Sequence, residues 1–147
     1  MTQTISDDTD LTAYGTALLR VSLGTMLAAH GLLKLLVFTP AGTAAFFESI
    51  GFAGFLAYPV IAAEVIGGAA LILGFKTRMV SLALVPLLIG ATIPHAANGW
   101  VFSNPNGGWE FPVFWAVALV VQALLGRGAF ALDSMRDGQG SLQAQAA

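Results

Sequence analysis

Cysteine is absent from this sequence, and charged residues are scarce. With no cysteine among 147 residues, the chain can form no disulfide, no thiolate metal site and no cysteine-ligated iron–sulfur cluster, so any electron transfer needs a bound cofactor or a partner. Only 10% of the residues are charged and 56% are hydrophobic, whereas a soluble domain carries about a quarter charged residues. This composition argues against a soluble globule and indicates a single integral membrane domain.

Two targeting and recognition signals are also missing. The sequence has no basic patch and no nucleic-acid-binding motif, so we expect no nucleic-acid partner. The first ten residues, MTQTISDDTD, are acidic, whereas a secretory signal peptide begins with a basic region. We therefore expect the first apolar run to be retained as a membrane span in the lipid bilayer.

Four apolar segments are candidates for membrane spans. The first, residues 17–38, reads ALLRVSLGTMLAAHGLLKLLVF, and the others cover about 55–75, 79–97 and 111–125. About 20 apolar residues cross the hydrocarbon core, so the last segment is short and requires a thinned bilayer or tilted neighbours. The sequence predicts an all-α fold, an integral membrane four-helix bundle.

The connections between the spans carry turn signals. Residues 44–52, AAFFESIGF, are too short to cross and predict a short interfacial helix between spans one and two. Pro86 and Pro94 predict a kink and a broken end in span three. We expect a four-span domain over 16–133, with disordered cytoplasmic segments at 1–15 and 134–147. The positive-inside rule places both termini in the cytoplasm, because the residues on that side include Lys76, Arg78, Arg127 and Arg136.

Small residues predict close helix contacts. Gly24 and Ala28 in span one lie four residues apart, which lets a neighbouring helix approach closely. In span two a track of small residues recurs at three- and four-residue spacing and is expected to share one face. This track consists of Ala63, Gly67, Ala70 and Gly74.

Ionisable residues in membrane spans usually face a partner or a wet cavity. At about 1.5 Å of rise per residue, five such residues are expected in the outer half of the bundle, and two tryptophans are expected above them. The predicted pocket residues are His30, Lys34, Glu64, His95 and Glu110, with Trp100 and Trp109.

The sequence allows two interpretations of this cluster. It is either a functional pocket that relays protons or orients a quinone carbonyl, or a structural ion pair of Lys34 with Glu64 or Glu110. A bis-histidine haem through His30 and His95 is weakly supported, and the acidic and histidine residues lack a recognisable metal-ligand spacing, so no metal is predicted. Arg20 and Asp133 are expected to anchor the inner surface.

These segments resemble the DoxX family of small bacterial membrane proteins with four helices. The resemblance rests on LLRVSLGTMLAAHGLLKL, AEVIGGAALILGFKTRMVSL, HAANGW with GGWEF, and GRGAFALD. Its family positions are Arg20, Gly24, Gly31, Lys34, Glu64, Gly67, Gly68, Gly74, Arg78, His95, Trp100, Gly108, Glu110, Gly126, Gly128 and Asp133.

The resemblance implies a protein of the bacterial inner (plasma) membrane, related to the large subunit of thiosulfate:quinone oxidoreductase. We expect a membrane subunit of a quinone-linked oxidoreductase complex that works with a redox-enzyme partner subunit. No covalent cofactor is expected, a bound quinone is the candidate ligand, and no residue is assigned a catalytic role. The alternatives are a non-catalytic scaffold or assembly factor, and a small transporter that acts as a homo-oligomer.

Overall fold

The protein is a bundle of helices with apolar surfaces. The computed structural model describes residues 2–134, with side chains from residue 10 onward. The described residues contain no strand and form five α-helices: α1 (Thr2–Leu32), α2 (Pro40–Ser49), α3 (Ala57–Leu73), α4 (Thr77–Thr92) and α5 (Glu110–Leu125).

Three helical segments are long and apolar enough to cross a membrane, which confirms the prediction of a helical membrane bundle. They are Asp10–Val37, Gly54–Leu73 and Thr77–Asn98. The fourth apolar helix, α5, has 16 residues and a length of about 24 Å, shorter than the hydrocarbon core of about 30 Å.

The four long helices enclose one apolar core. Helix α1 packs most extensively on α3, and α4 on α5, while contacts of α3 with α4 and of α1 with α5 close the ring. The centre of the core is filled by leucines from three helices, Leu27, Leu71 and Leu119, each fully buried. This packing leaves the outward faces apolar, as contact with a lipid bilayer requires.

Glycines set the close approach of α1 and α3. A Cβ atom added to Gly24 would lie 2.7 Å from the carbonyl oxygen of Gly68, and one added to Gly68 would lie 2.6 Å from the amide nitrogen of Ala28. The predicted pair Gly24 and Ala28 therefore makes a tight helix contact. In the predicted track of span two, Gly67 packs tightly on Leu84 of α4, whereas its neighbour Gly68, which is outside the track, faces α1.

Several helix ends differ from the expected ones. Helix α1 begins at Thr2, inside the segment 1–15 that we expected to be disordered. No glycine or proline precedes Gly15, and extending an established helix is easier than starting one. The predicted disordered tail at 134–147 lies, apart from Ser134, outside the described residues.

Proline and threonine define the remaining ends. Helix α2 begins at Pro40, where the Thr39 hydroxyl accepts a hydrogen bond from the Gly42 amide at 3.1 Å, as in an N-cap. Helix α4 continues through Pro86 and ends before Pro94, where the chain tightens into a 3₁₀ turn, Ile93–Asn98. The break near Pro94 is confirmed, and the kink at Pro86 stays a prediction.

The segment after α5, residues 126–134, folds back across one end of the bundle, and we call it the C-terminal strap. The Ala129 amide donates a hydrogen bond to the Ala13 carbonyl at 3.0 Å, and the Asp133 amide donates to the Gly74 carbonyl at 3.4 Å. Gly128 has φ +66°, and a Cβ atom there would lie 2.7 Å from the amide nitrogen of Ala17. Glycine at this position lets the strap lie directly on α1.

Candidate functional site

A cavity of about 380 Å³ lies beside α2, at the end of the bundle opposite the strap. We call it the α2 cavity. Its walls are mainly apolar and come from all five helices and the segments that join them. The polar lining residues are His30, Lys34, Glu64 and His95, and the aromatic lining residues are Phe46, Phe47, Phe52 and Trp115.

The strongest polar contact at the cavity joins Lys34 and Glu64. The Lys34 ammonium donates hydrogen bonds to both carboxylate oxygens of Glu64, each at 2.8 Å. The Glu64 side chain is 6% exposed and that of Lys34 is 21% exposed. Of the two ion pairs considered from the sequence, the structure forms Lys34–Glu64.

Local backbone structure brings these two side chains together. A Cβ atom on Gly31 would lie 3.0 Å from the Cβ of Glu64, so glycine there lets α1 approach α3 one turn before Lys34. Lys34 itself lies in a π-helical turn, Leu33–Val37, closed by a hydrogen bond from the Phe38 amide to the Leu33 carbonyl at 3.0 Å. A π turn re-aims side chains relative to an α-helix and is frequent at functional sites.

His30 lies one turn before Lys34 and has a defined orientation. Its Nδ1–H donates a hydrogen bond to the Met26 carbonyl at 2.9 Å, and its ring lies edge-on to Trp115 with centroids 5.0 Å apart. Because a carbonyl oxygen only accepts hydrogen bonds, Nδ1 carries the proton and Nε2 of the neutral ring is an acceptor.

His95 lines the cavity from the 3₁₀ turn after α4 and also fastens the following loop. Its Nδ1–H is shared between the carbonyls of Asn106 and Gly107, at 3.0 and 3.1 Å. The Asn98 side-chain amide donates to the same two carbonyls. As in His30, the proton lies on Nδ1 and leaves Nε2 as an acceptor in the neutral ring.

Three predicted pocket residues lie elsewhere. Among the residues that the structure describes, Trp100, Trp109 and Glu110 do not line the α2 cavity. The tryptophan rings pack against each other, edge to face, with centroids 4.5 Å apart, and Glu110 Oε1 accepts a hydrogen bond from the Phe102 amide at 2.8 Å. The loop closes on itself, so these side chains fold the loop instead of covering the pocket.

The four aromatic side chains of the cavity were missed from the sequence. Trp115 is 5% exposed and comes from α5, where Phe111 packs on it with ring centroids 5.5 Å apart. Phe47 comes from α2, which we interpreted only as an interfacial helix. Its spacing from Ile50 marks one apolar helix face, and this signal could have indicated that α2 covers a cavity.

The predicted anchor Arg20 is buried. It is 1% exposed, and Nη2 donates a hydrogen bond to the Ala129 carbonyl of the strap at 3.0 Å. Its Nε and Nη1 have no hydrogen-bond partner within residues 10–134. Arg20 is therefore an interior residue beneath the strap, not a surface anchor, because the strap covers the end of α1.

Other predicted structural residues do support the strap. Asp133 Oδ2 accepts a hydrogen bond from the Lys76 amide at 2.7 Å. Gly74 has φ +71°, and a Cβ atom there would overlap the Arg20 guanidinium. In the part of the chain that the structure describes, no group of three His, Cys, Asp or Glu side chains is placed to hold a metal ion.

Comparisons with known proteins give the family. The DoxX family model matches residues 15–102, the region that holds all four polar cavity residues. A Bacillus subtilis (strain 168) protein named "Putative oxidoreductase CatD" is 37% identical over 119 residues, covering 81% of this chain and 84% of the relative. No solved structure matches the chain. The chain belongs to the DoxX family.

Proposed function

We propose that this protein is the membrane subunit of a quinone-linked oxidoreductase complex and that the α2 cavity binds the quinone. The observation that carries the proposal is an apolar cavity of about 380 Å³ with four ionisable side chains in its lining. The name of the Bacillus subtilis relative, an oxidoreductase, supports the reaction class.

The cavity fits a quinone ring in size and surface. Small-molecule sites have volumes of roughly 300–1,000 Å³ and are mostly apolar with a few placed polar groups. Phe47, Phe52 and Trp115 supply flat apolar walls. The Lys34 ammonium has three N–H donors, and two of them bind Glu64. The third is left to donate to a quinone carbonyl.

In this proposal, the two histidines and Glu64 transfer the protons. A bound quinone supplies redox chemistry that takes up or releases two electrons and two protons. The Nε2 atoms of His30 and His95 are acceptors, because each Nδ1–H is held by a backbone carbonyl, and imidazoles relay protons near neutral pH. Without cysteine the chain has no thiol redox chemistry of its own, so the proposal includes a redox partner subunit.

The proposed location is the bacterial plasma membrane, with both termini in the cytoplasm. The support is the clustering of basic residues at the strap end of the bundle together with the positive-inside rule. In this orientation the α2 cavity lies toward the outer side. Quinones dissolve in the hydrocarbon core, so the cavity lies within reach of its ligand.

Tryptophan fluorescence tests quinone binding directly, because Trp115 lines the cavity while the other two tryptophans lie in the loop. The variant W100F/W109F keeps Trp115 as the single tryptophan of a chain that has three. Titrating this variant in detergent with a short-chain ubiquinone should give saturable quenching. The matched control, W115F, retains the two loop tryptophans and should show only weak, non-saturable quenching.

The polar residues are tested in the same background. Adding K34Q or H30Q to W100F/W109F should weaken quinone binding, because each variant removes a charged donor or a proton acceptor from the cavity. Equal quenching of the W100F/W109F and W115F proteins, or absence of saturation in both, would contradict quinone binding in the α2 cavity.

The bidentate Lys34–Glu64 ion pair favours a second candidate function, a non-catalytic scaffold or assembly factor. An ion pair with two hydrogen bonds can hold the π turn after α1 on α3 without any ligand. A scaffold would co-purify with a partner protein and show no saturable Trp115 quenching. The fluorescence titration therefore separates the two functions.

A further inference from the structure

A second pocket, of about 520 Å³, lies at the strap end of the bundle, between the start of α4 and the end of α5. We call it the basic pocket. It shares no lining residue with the α2 cavity, and the proposal made for it does not depend on the proposed function. Its lining includes Lys76, Thr77, Arg78, Arg127 and Asp133.

The basic pocket concentrates positive charge in a chain that has little. The chain carries six lysine and arginine residues in total, and three of them, Lys76, Arg78 and Arg127, line this pocket. One acidic residue, Asp133, also lines it. Its carboxylate accepts a hydrogen bond from the Lys76 backbone amide at 2.7 Å, so it stabilises the turn before α4.

Arg78 is the cation best placed to bind a ligand. Its side chain is exposed and forms no hydrogen bond or ion pair with residues 10–134. It lies over Gly126, where an added Cβ atom would come 3.2 Å from Nε. The guanidinium presents planar paired donors, a geometry that matches the oxygens of a phosphate group.

The start of α4 adds neutral donors to the same pocket. No side chain caps this helix, and the amides of a first helical turn have no partner within their own helix. Thr77 is 2% exposed, and its hydroxyl has no hydrogen-bond partner within residues 10–134. An uncapped helix N-terminus attracts anions, and the unsatisfied buried hydroxyl is a second, independent sign of a polar ligand.

We propose that the basic pocket binds a phosphate group through Arg78, with Lys76, Arg127 and the first turn of α4 as further contacts. The group comes either from the headgroup of an anionic lipid or from a free phosphate compound. Basic pockets between helix ends bind anionic lipid headgroups in other membrane proteins, and this pocket lies where two spans end.

Native mass spectrometry of the delipidated protein in detergent tests the proposal, with phosphatidylglycerol, phosphatidylcholine and inorganic phosphate as separate probes. The wild-type chain should retain phosphatidylglycerol in preference to phosphatidylcholine, and R78Q should bind phosphatidylglycerol about fivefold more weakly. R136Q is the control, because it changes the net charge equally at an arginine that the proposal does not include. It should bind as the wild type does.

The outcomes distinguish the sources of phosphate. A phosphatidylglycerol preference that R78Q loses supports a lipid headgroup. Binding of inorganic phosphate that R78Q loses, without a lipid preference, supports a free phosphate compound. Equal weakening of binding in R78Q and R136Q would show attraction to overall charge and would overturn the proposal. Equal binding of all probes by the wild type and R78Q would also overturn it, because Arg78 would then have no role in binding. Because the Arg78 side chain is exposed and has no hydrogen bond or ion pair in the part of the chain that the structure describes, R78Q should fold, and thermal unfolding checks this.

Discussion

The two ends of the bundle each hold a cation of the first helical segment, Asp10–Val37, in different ways. At the α2 cavity, Lys34 is paired with a full negative charge on Glu64 through two hydrogen bonds of 2.8 Å. At the strap, Arg20 is 1% exposed and is held by one backbone carbonyl, that of Ala129, at 3.0 Å. Lys34 thus has a charged partner that is itself buried, whereas the partner of Arg20 is an uncharged carbonyl group of the strap.

This difference predicts losses of stability of different size when each cation is removed. Loss of Lys34 leaves the Glu64 carboxylate buried and unpaired, whereas loss of Arg20 leaves only a carbonyl on the half-buried Ala129. An uncompensated buried charge is far more unfavourable than an unsatisfied carbonyl. The three variants that follow test this contrast, beginning with the largest expected effect.

The substitution K34M should give the largest loss of stability. It removes the partner of a carboxylate whose side chain is 6% exposed, and breaking a buried ion pair lowers the free energy of unfolding by about 3–5 kcal/mol. Equilibrium unfolding in mixed detergent and SDS micelles measures this loss.

A double variant is the control for K34M. Replacing both partners, as in K34M/E64M, removes the buried charge together with the ion pair, so most of the lost stability should return. A loss below about 1 kcal/mol for K34M alone would match an exposed ion pair. It would mean that the carboxylate finds water or another partner, and the contrast between the two ends would fail.

The substitution R20M should have a smaller effect, a loss of about 1–2 kcal/mol in the free energy of unfolding. It removes the hydrogen bond to Ala129. It also removes from the interior the Nε and Nη1 atoms, which have no hydrogen-bond partner among the described residues. The same unfolding assay applies, with K34M measured alongside. A loss as large as that of K34M would show that Arg20 has a charged partner and would remove the difference between the ends.

The sequence was sufficient to predict the features of this fold that depend on depth in the membrane. Apolar run lengths predicted the three segments that are long enough to cross a membrane. Counting residues along two antiparallel spans placed Lys34 and Glu64 in the same half of the bundle, and the structure pairs them. Small residues four apart likewise indicated the close contact at Gly24. Each of these inferences uses only distance along a helix axis.

Features that depend on direction around a helix axis could not be predicted. Gly67 and Gly68 are adjacent in sequence, yet one faces Leu84 of α4 and the other faces α1. Successive residues point about 100° apart, and sequence alone does not fix which direction meets which helix. For the same reason, the estimate of depth predicted Glu110 near the pocket, whereas its side chain accepts a hydrogen bond from Phe102 of the loop.

The strap could not be predicted for a different reason. Its contacts join Ala129 to Ala13 and to Arg20, more than 100 residues away in sequence, and the segment has no hydrophobic period to read. Without the strap, Arg20 near the start of a span is most simply interpreted as an interfacial cation. The segment's glycines with positive φ, Gly126 and Gly128, mark turns but do not indicate what the turns contact.

The smallest effect is expected for E110Q. This variant compares Glu110 with Glu64, the two carboxylates that the sequence predicted in one pocket. Glu110 Oε1 accepts a hydrogen bond from the Phe102 amide at 2.8 Å, and a glutamine carbonyl accepts the same bond, so the free energy of unfolding should change by less than about 0.5 kcal/mol. In the W100F/W109F background, E110Q should also leave quinone quenching of Trp115 unchanged, while E64Q weakens it. If E110Q abolished the quenching in a folded protein, Glu110 would act in the α2 cavity as the sequence predicted, and its place in the loop would be only one of its roles.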